Sequence, residues 1–298
     1  MHKLFNLLII LFSFLVLSQF GFTWGNISTH QDITKAAIED LPYQMATTFR
    51  PYKTWLANTS TDAGVRTGWD SHESYFHYID IDTTPPGYLW PFTGVPRNLA
   101  TYLSATQFRS YSAGVNPYAL NSITVVLSTA YRNWNQNKTA SNFTTCLYWM
   151  TRISHYCGDL HQPLHVTWNY DPDNGLHSRY ESDMLEIYNP TIYSKLSTGM
   201  IYQSNPLEFA FSIISVTYPY YPKVVKADTT AYNIAYSYNS TYYYSLWTST
   251  QSFTTTLLNL AAKDVASLWY TAWINAGLTV PVELSEFYST LDTPIDKP

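Results

Sequence analysis

The stretch Ile153–Glu181 reads ISHYCGDLHQPLHVTWNYDPDNGLHSRYE, and its reading decides how the rest of the chain is understood. His155 and Asp159 are four residues apart, His165 follows six later, and His177 and Glu181 are again four apart. Residues four apart share one face of a helix, so each pair can close on a single cation. Imidazole nitrogen and carboxylate oxygen are the ligands that zinc takes in hydrolytic sites. A lone buried histidine satisfied by a carboxylate is an ordinary core feature. Two such pairs plus His165 within under thirty residues point instead to a metal site.

The surroundings set limits on what such a site can serve. The chain has 298 residues, enough to bury a sizeable core. It is 46% hydrophobic and 17% aromatic, with only 12% charged residues. A surface poor in charge and rich in Tyr, Thr, Ser and Asn suits an exported, glycosylated protein. The net charge of −5 becomes −6 if Lys3 leaves with residues 1–23. That balance argues against a basic groove that binds duplex nucleic acid by counterion release. It is compatible with divalent cations supplying positive charge locally.

Residues 1–23 combine a basic start, an apolar run from Leu4 to Leu17 and a small, polar end, the pattern of a secretory signal peptide. An uncleaved anchor is the alternative. Cleavage would leave Trp24 as the amino terminus, and no later segment has the length and apolarity of a membrane span. The expectation is a soluble monomer, secreted or held in the lumen of the secretory or lysosomal pathway. Asn26, Asn58, Asn137, Asn142 and Asn239 begin Asn-x-Ser/Thr sequences that suit glycan acceptors. Cys146 and Cys157 are eleven residues apart, about 16 Å on one helix at 1.5 Å per residue, too far for a disulfide.

Helical periodicity dominates the remainder. Ile33, Ala36, Ala37 and Leu41 share a face in 29–45; Leu120, Ile123, Leu127, Tyr131 and Trp134 recur at helical spacing in 117–134. Phe143, Leu147, Met150 and Ile153 lead into His155, and 252–276 ends at Asn275-Ala276-Gly277, a helix stop. Breaks fall at 84–96 and 168–175. The economical reading is all-α, a single multi-helix domain over 24–298. The segments 84–116 and 185–250 carry no readable motif, and the Tyr-rich run 231–246 reads as packing rather than a substrate groove.

Four pieces in order resemble the trinuclear-zinc phosphoesterases, which comprise the S1/P1 nuclease family and the zinc-dependent phospholipases C. His155-Tyr-Cys-Gly-Asp159-Leu-His-Gln-Pro-Leu-His165 looks like the family's H-x-x-G-D-x-x-Q-P-x-H core. Trp24-Gly25 followed by His30, Asp62 fifteen residues before His77-Tyr-Ile-Asp80, and His177 with Glu181 look like the others. The resemblance implies a phospholipase C/P1 nuclease-like fold with three zinc ions between helices. Trp24, His30 and Asp159 would hold one ion, and Asp62, His77, His155 and Asp159 a second, so that Asp159 bridges the pair. His165, His177 and Glu181 would hold the third. These positions use five of the seven histidines that remain after residue 23. His72 and His161 are left over and read as supporting or surface residues.

The resemblance also implies a reaction: hydrolysis of a phosphodiester by a metal-activated water. Asp62 would orient that water or take its proton, and Arg66, one turn later, would clamp Asp62 or a phosphate. The first reading is a nuclease for single-stranded DNA or RNA, with Tyr78 stacking on a base and Asp80 hydrogen-bonding it. The second is a phospholipase C acting on phospholipid head groups. His177-Ser-Arg-Tyr-Glu181 and its short distance from His165 look like the phospholipase version. Ala63 and Ser74 stand where the aromatics of a choline cage are expected. A zinc-binding protein without turnover is a third reading.

Overall fold

The computed structural model describes residues 28–61, 76–79, 81, 95–105, 115–192 and 200–279. Among these residues the chain is all-helical, with no strand. The helices are α1 (Ser28–Asp40), α2 (Tyr43–Phe49), α3 (Lys53–Ser60), α4 (Leu99–Ala105), α5 (Asn116–Gln136) and α6 (Ala140–Leu160). They continue as α7 (Leu176–Ser178), α8 (Met184–Tyr188), α9 (Pro206–Thr217), α10 (Tyr221–Ala235) and α11 (Ser240–Asn275). A π turn, Arg179–Asp183, joins α7 to α8, and a 3-10 turn, Pro163–Val166, follows α6.

Helix α6 is the centre of the bundle. Thr139 caps it by accepting a hydrogen bond from Asn142 N at 3.2 Å. From Met150 to Leu160 every residue is buried, so the one-sided pattern of a surface helix is lost there. Helices α1, α3, α5, α9 and α11 all pack on it. One contiguous apolar core runs through these elements, from Ile33 in α1 to Trp273 in α11.

Helix α11 is 36 residues long, about 54 Å at 1.5 Å per residue. Asn239 starts it by accepting from Thr241 N and Tyr242 N at 2.9 and 3.1 Å. It ends at Gly277, whose φ of 78° is the left-handed turn that only glycine takes freely. The helix therefore begins twelve residues before position 252, inside the Tyr-rich run that the periodicity left unassigned. That run, 231–246, turns out to be the corner between α10 and α11.

The helix expected over 29–45 is two helices. Pro42, with φ −54° and ψ 147°, caps α2 and ends the run of α1. Cys146 and Cys157 lie on α6, both free and buried. No described helix is long and apolar enough to cross a membrane.

Candidate metal centre

His155 and Asp159 project from the last two turns of α6, both fully buried. His30, from the first turn of α1, lies flat against His155, with ring centroids 4.1 Å apart and planes at 17°. Gly158 makes this approach possible. A Cβ there would stand 3.0 Å from both Cε1 and Nδ1 of His30, closer than a side chain tolerates without moving the imidazole. His77, in the non-helical segment 76–79, brings Nδ1 to 3.1 Å from His155 Nε2.

The two oxygens of Asp159 face different imidazoles. Oδ1 is 3.4 Å from His30 Nε2 and 3.7 Å from His165 Nδ1. Oδ2 is 2.9 Å from His77 Nδ1 and 3.6 Å from His155 Nε2. One carboxylate thus sits at the junction of all the histidine-bearing segments around it.

A second group lies beyond it. Gln162 closes the turn after α6: its side-chain oxygen accepts from Leu164 N, and its Nε2 donates to Glu181 Oε2 at 2.7 Å. The 3-10 turn places His165 Nε2 at 3.2 Å from Glu181 Oε2 and 2.9 Å from His177 Nε2. His177 Nε2 is 2.8 Å from the same carboxylate oxygen. In each of the two groups, His30–His155–Asp159 and His165–His177–Glu181, the ligand atoms lie within 4.8 Å of one another.

The outer ring nitrogens fix the tautomers. His155 Nδ1 is 2.7 Å from the Ser60 carbonyl, and His165 Nδ1 is 2.9 Å from the His77 carbonyl. A carbonyl only accepts, so Nδ1 carries the proton and donates in both cases. Nε2 is then left with its lone pair facing inward, the form in which imidazole binds a metal.

The donor set fits a divalent cation. Nδ1 and Nε2 of His30, Asp159 Oδ1 and Glu181 Oε1 are buried with no hydrogen-bond partner. Among the described residues, every ion-pair partner of Asp159 and Glu181 is a histidine. Buried carboxylates are stable only when charge and hydrogen bonds compensate them, and a bound cation would supply both here.

The titration of these groups follows from the same crowding. Burial pushes the Asp159 carboxyl up, but His155 and His165, with the imidazoles of His30 and His77 close by, outweigh it and hold Asp159 well below its ordinary value. Burial likewise opposes ionisation of Glu181, which nearby His177 and hydrogen bonds with His165 and His177 bring down to about 2. Burial, then repulsion from His30, keeps His155 well below its ordinary value. Burial would lower His165 too, yet Asp159 and Glu181 raise it.

His30, His77, His155, Asp159, His165, His177 and Glu181 are therefore brought together, all buried. Trp24, Asp62, Arg66 and Asp80 lie outside the described residues, as do His72 and Asn26. Tyr78 stacks on His165, with centroids 4.5 Å apart and planes at 20°. The sequence reading passed over Tyr170, which is 50% exposed and lies 5.6 Å from Tyr78 and 5.8 Å from His177.

Of the two readings of His161, the structure excludes the surface one and leaves the supporting one. This residue is buried, with Nδ1 2.8 Å from the Cys157 carbonyl and Nε2 3.1 Å from Asp264 Oδ2, and so braces α6 against α11.

No model of a known protein family matches the chain, and comparison with curated proteins returns no match.

Proposed function

We propose that the chain is a zinc-dependent phosphodiesterase of the secretory pathway whose substrate is single-stranded nucleic acid. The observation that carries the reading is Asp159, with one oxygen toward His30 and His165 and the other toward His77 and His155. A carboxylate placed this way suits bridging of neighbouring cations, the arrangement that supports in-line displacement at phosphorus. Zinc held there would polarise the phosphoryl group and acidify a water toward neutral pH.

The protein's part is to hold charge and tautomer. Asp159 and Glu181 stay ionised, and His155 and His165 keep Nε2 directed inward through the Ser60 and His77 carbonyls. Trp24 and Asp62 would complete the three-ion ligand set, with Asp62 and Arg66 orienting water and phosphate. Tyr78 stacks on His165 and would offer an aromatic ring to a base beside the reacting phosphate, with Asp80 close in sequence to bond its edge. Base–aromatic stacking contributes about 1–3 kcal/mol and tolerates sequence, which suits single strands.

Phospholipase C is the second reading. Glu181 as the last ligand favours it, and so does the short segment before His177, where Trp168 and Tyr170 are half exposed. The test is a paired assay of the zinc-loaded protein on single-stranded DNA or RNA and on phosphatidylcholine, with and without chelator. Chelator-sensitive cutting of the polynucleotide alone supports the nuclease. Release of phosphocholine alone replaces it with the phospholipase, and turnover of neither removes both.

A further inference from the structure

We propose that Arg179 is the positioning residue of the His165–His177–Glu181 group, acting through Asp228 and Tyr242. The inference rests on that group being a cation site, and it concerns what holds the site in register rather than what the site cleaves.

His177, Arg179 and Glu181 are alternate residues on one helical segment. At about 100° per residue, Arg179 projects on the opposite side of the segment from the two ligands flanking it. Its guanidinium is buried there against α10 and α11. Nε donates to the Tyr242 hydroxyl at 3.0 Å, and one terminal nitrogen donates to Asp228 Oδ1 at 3.2 Å. The Tyr242 hydroxyl donates to that same oxygen, which closes the triangle. The ring of Tyr238 lies 4.0 Å from the Arg179 Cζ.

The segment needs such a hold. Arg179–Asp183 is a π turn, closed by a bond from Met184 N to the Arg179 carbonyl, and π turns are rare because they pack less well than α-helix. Directional bonds on the face opposite the ligands fix rotation of the turn about its axis, which apolar contact alone does not. The way in is fixed too. Asp171 accepts from Gly175 N at 2.7 and 2.8 Å and from His177 N at 3.2 Å. Gly175 has φ 120°, and a Cβ there would stand 2.9 Å from the guanidinium. Beyond Arg179, Tyr180 bonds Thr254 at 2.7 Å and Asp183 accepts from Tyr243 at 2.8 Å. Helices α10 and α11 supply no ligand to either group, yet they hold the ligand-bearing turn residue by residue.

The test is equilibrium dialysis against Zn2+, well below the melting temperature, with thermal melts alongside to establish folding. Arg179→Met/Asp228→Leu removes the whole ion pair, and Tyr242→Phe removes one hydroxyl only. The expected result is loss of about 100-fold in Zn2+ affinity for the double variant and about tenfold for Tyr242→Phe, confined to one class of sites. Arg179→Lys, which keeps the charge but not the fork, should fall between wild type and the double variant. The sites of the His30–His155–Asp159 group serve as the internal control and keep their affinity.

Unchanged Zn2+ binding in a folded Tyr242→Phe and a folded double variant would overturn the proposal. So would equal weakening at both groups, which marks general loosening. If the double variant does not fold, Tyr242→Phe decides alone. A wild-type protein that retains no Zn2+ would remove the site itself, a failure of the underlying reading that is plainly distinct from the other two.

Discussion

Residues 176–183 take part in two buried polar clusters, one on each side of the segment. On one side Arg179 brings a permanent positive charge to Asp228, and Tyr242 supplies the remaining hydrogen bond. On the other, the ion-pair partners of Glu181 and, behind it, Asp159 are imidazoles among the described residues, and Asp159 Oδ1 and Glu181 Oε1 keep no hydrogen bond at all. The first cluster has its own fixed cation, Arg179, bonded to Asp228 and Tyr242, with the Asp173 carboxyl also against Asp228. The second has no Lys or Arg among the ion-pair partners of its carboxylates within the described residues. Burial alone therefore does not separate the two clusters; the source of the counter-charge does.

The sharpest way to break this comparison is Asp159→Asn. It keeps the shape of the side chain and removes the charge shared between the groups. Zinc retained by the protein should drop, and phosphodiester hydrolysis should fall by about 1,000-fold or more, equivalent to roughly 4 kcal/mol of barrier. A variant within tenfold of wild type would show that this carboxylate does not hold the reacting metals.

The Arg179 cluster should respond differently. Arg179→Met alone strands a buried carboxylate at Asp228 and should cost about 3–5 kcal/mol in urea unfolding. Arg179→Met/Asp228→Leu should recover most of that loss. If both variants lose equally, the cluster is not self-contained.

Chelation comes next in size. A site filled at a hundred times its dissociation constant adds about 2.7 kcal/mol, so chelator should lower the melting temperature by roughly 5–10 °C. The shift should vanish in Asp159→Asn/Glu181→Gln and persist in Tyr242→Phe when zinc is in large excess. A melt indifferent to chelator in the wild type would remove the contrast between the clusters.

An exposed ion cluster marks the weak end of the scale. Glu39 accepts from Lys53 at 2.8 Å and Arg50 at 3.0 Å, tying α1 to the start of α3. The hydrogen bond with Lys53, opposed by partial burial and aided by Arg50, lowers its carboxyl below the usual value of 4.5. A depressed carboxylate contributes stability above its unfolded pKa and loses it as pH falls through the folded one. Glu39→Gln should therefore cost about 0.5 kcal/mol at pH 7 and nothing near pH 2. Urea titrations at the two pH values would measure the difference, and a cost independent of pH would assign the effect to packing instead.

The two clusters were also unequally legible in the sequence. His155, Asp159, His165, His177 and Glu181 are of scarce residue types in a chain poor in charge, and their spacing alone puts pairs on one face. Even Gly158 has its reason in the structure, since it admits the ring of His30. Arg179 stands inside the same stretch and went unread. Its partners are 49 and 63 residues away, and nothing local separates Tyr242, fully buried, from Tyr244, 63% exposed. In a run of tyrosines the partner is chosen by how α10 and α11 fold back on the π turn, which periodicity does not report. The split at Pro42 was readable from the residue-before-proline rule, whereas α11's early start was hidden because residues 240–251 lack a clean apolar stripe.

The short piece 76–79 belongs to no helix, yet it is tied on both sides. Ile79 N donates to the His165 carbonyl at 3.0 Å, Asn116 N donates to the Tyr78 carbonyl at 3.0 Å, and the His77 carbonyl accepts from His165 Nδ1. Its partners emerge from the ribosome later than it does, up to 88 residues along the chain. During synthesis its bonds with His165 wait until α6 and the turn beyond are complete. Closing such a loop adds only about 0.6 kcal/mol per doubling of its length. Delay, more than energy, is what the arrangement imposes. The histidine centre therefore joins segments up to 88 residues apart, and none of its cross-links with His165 can form before that residue has been made.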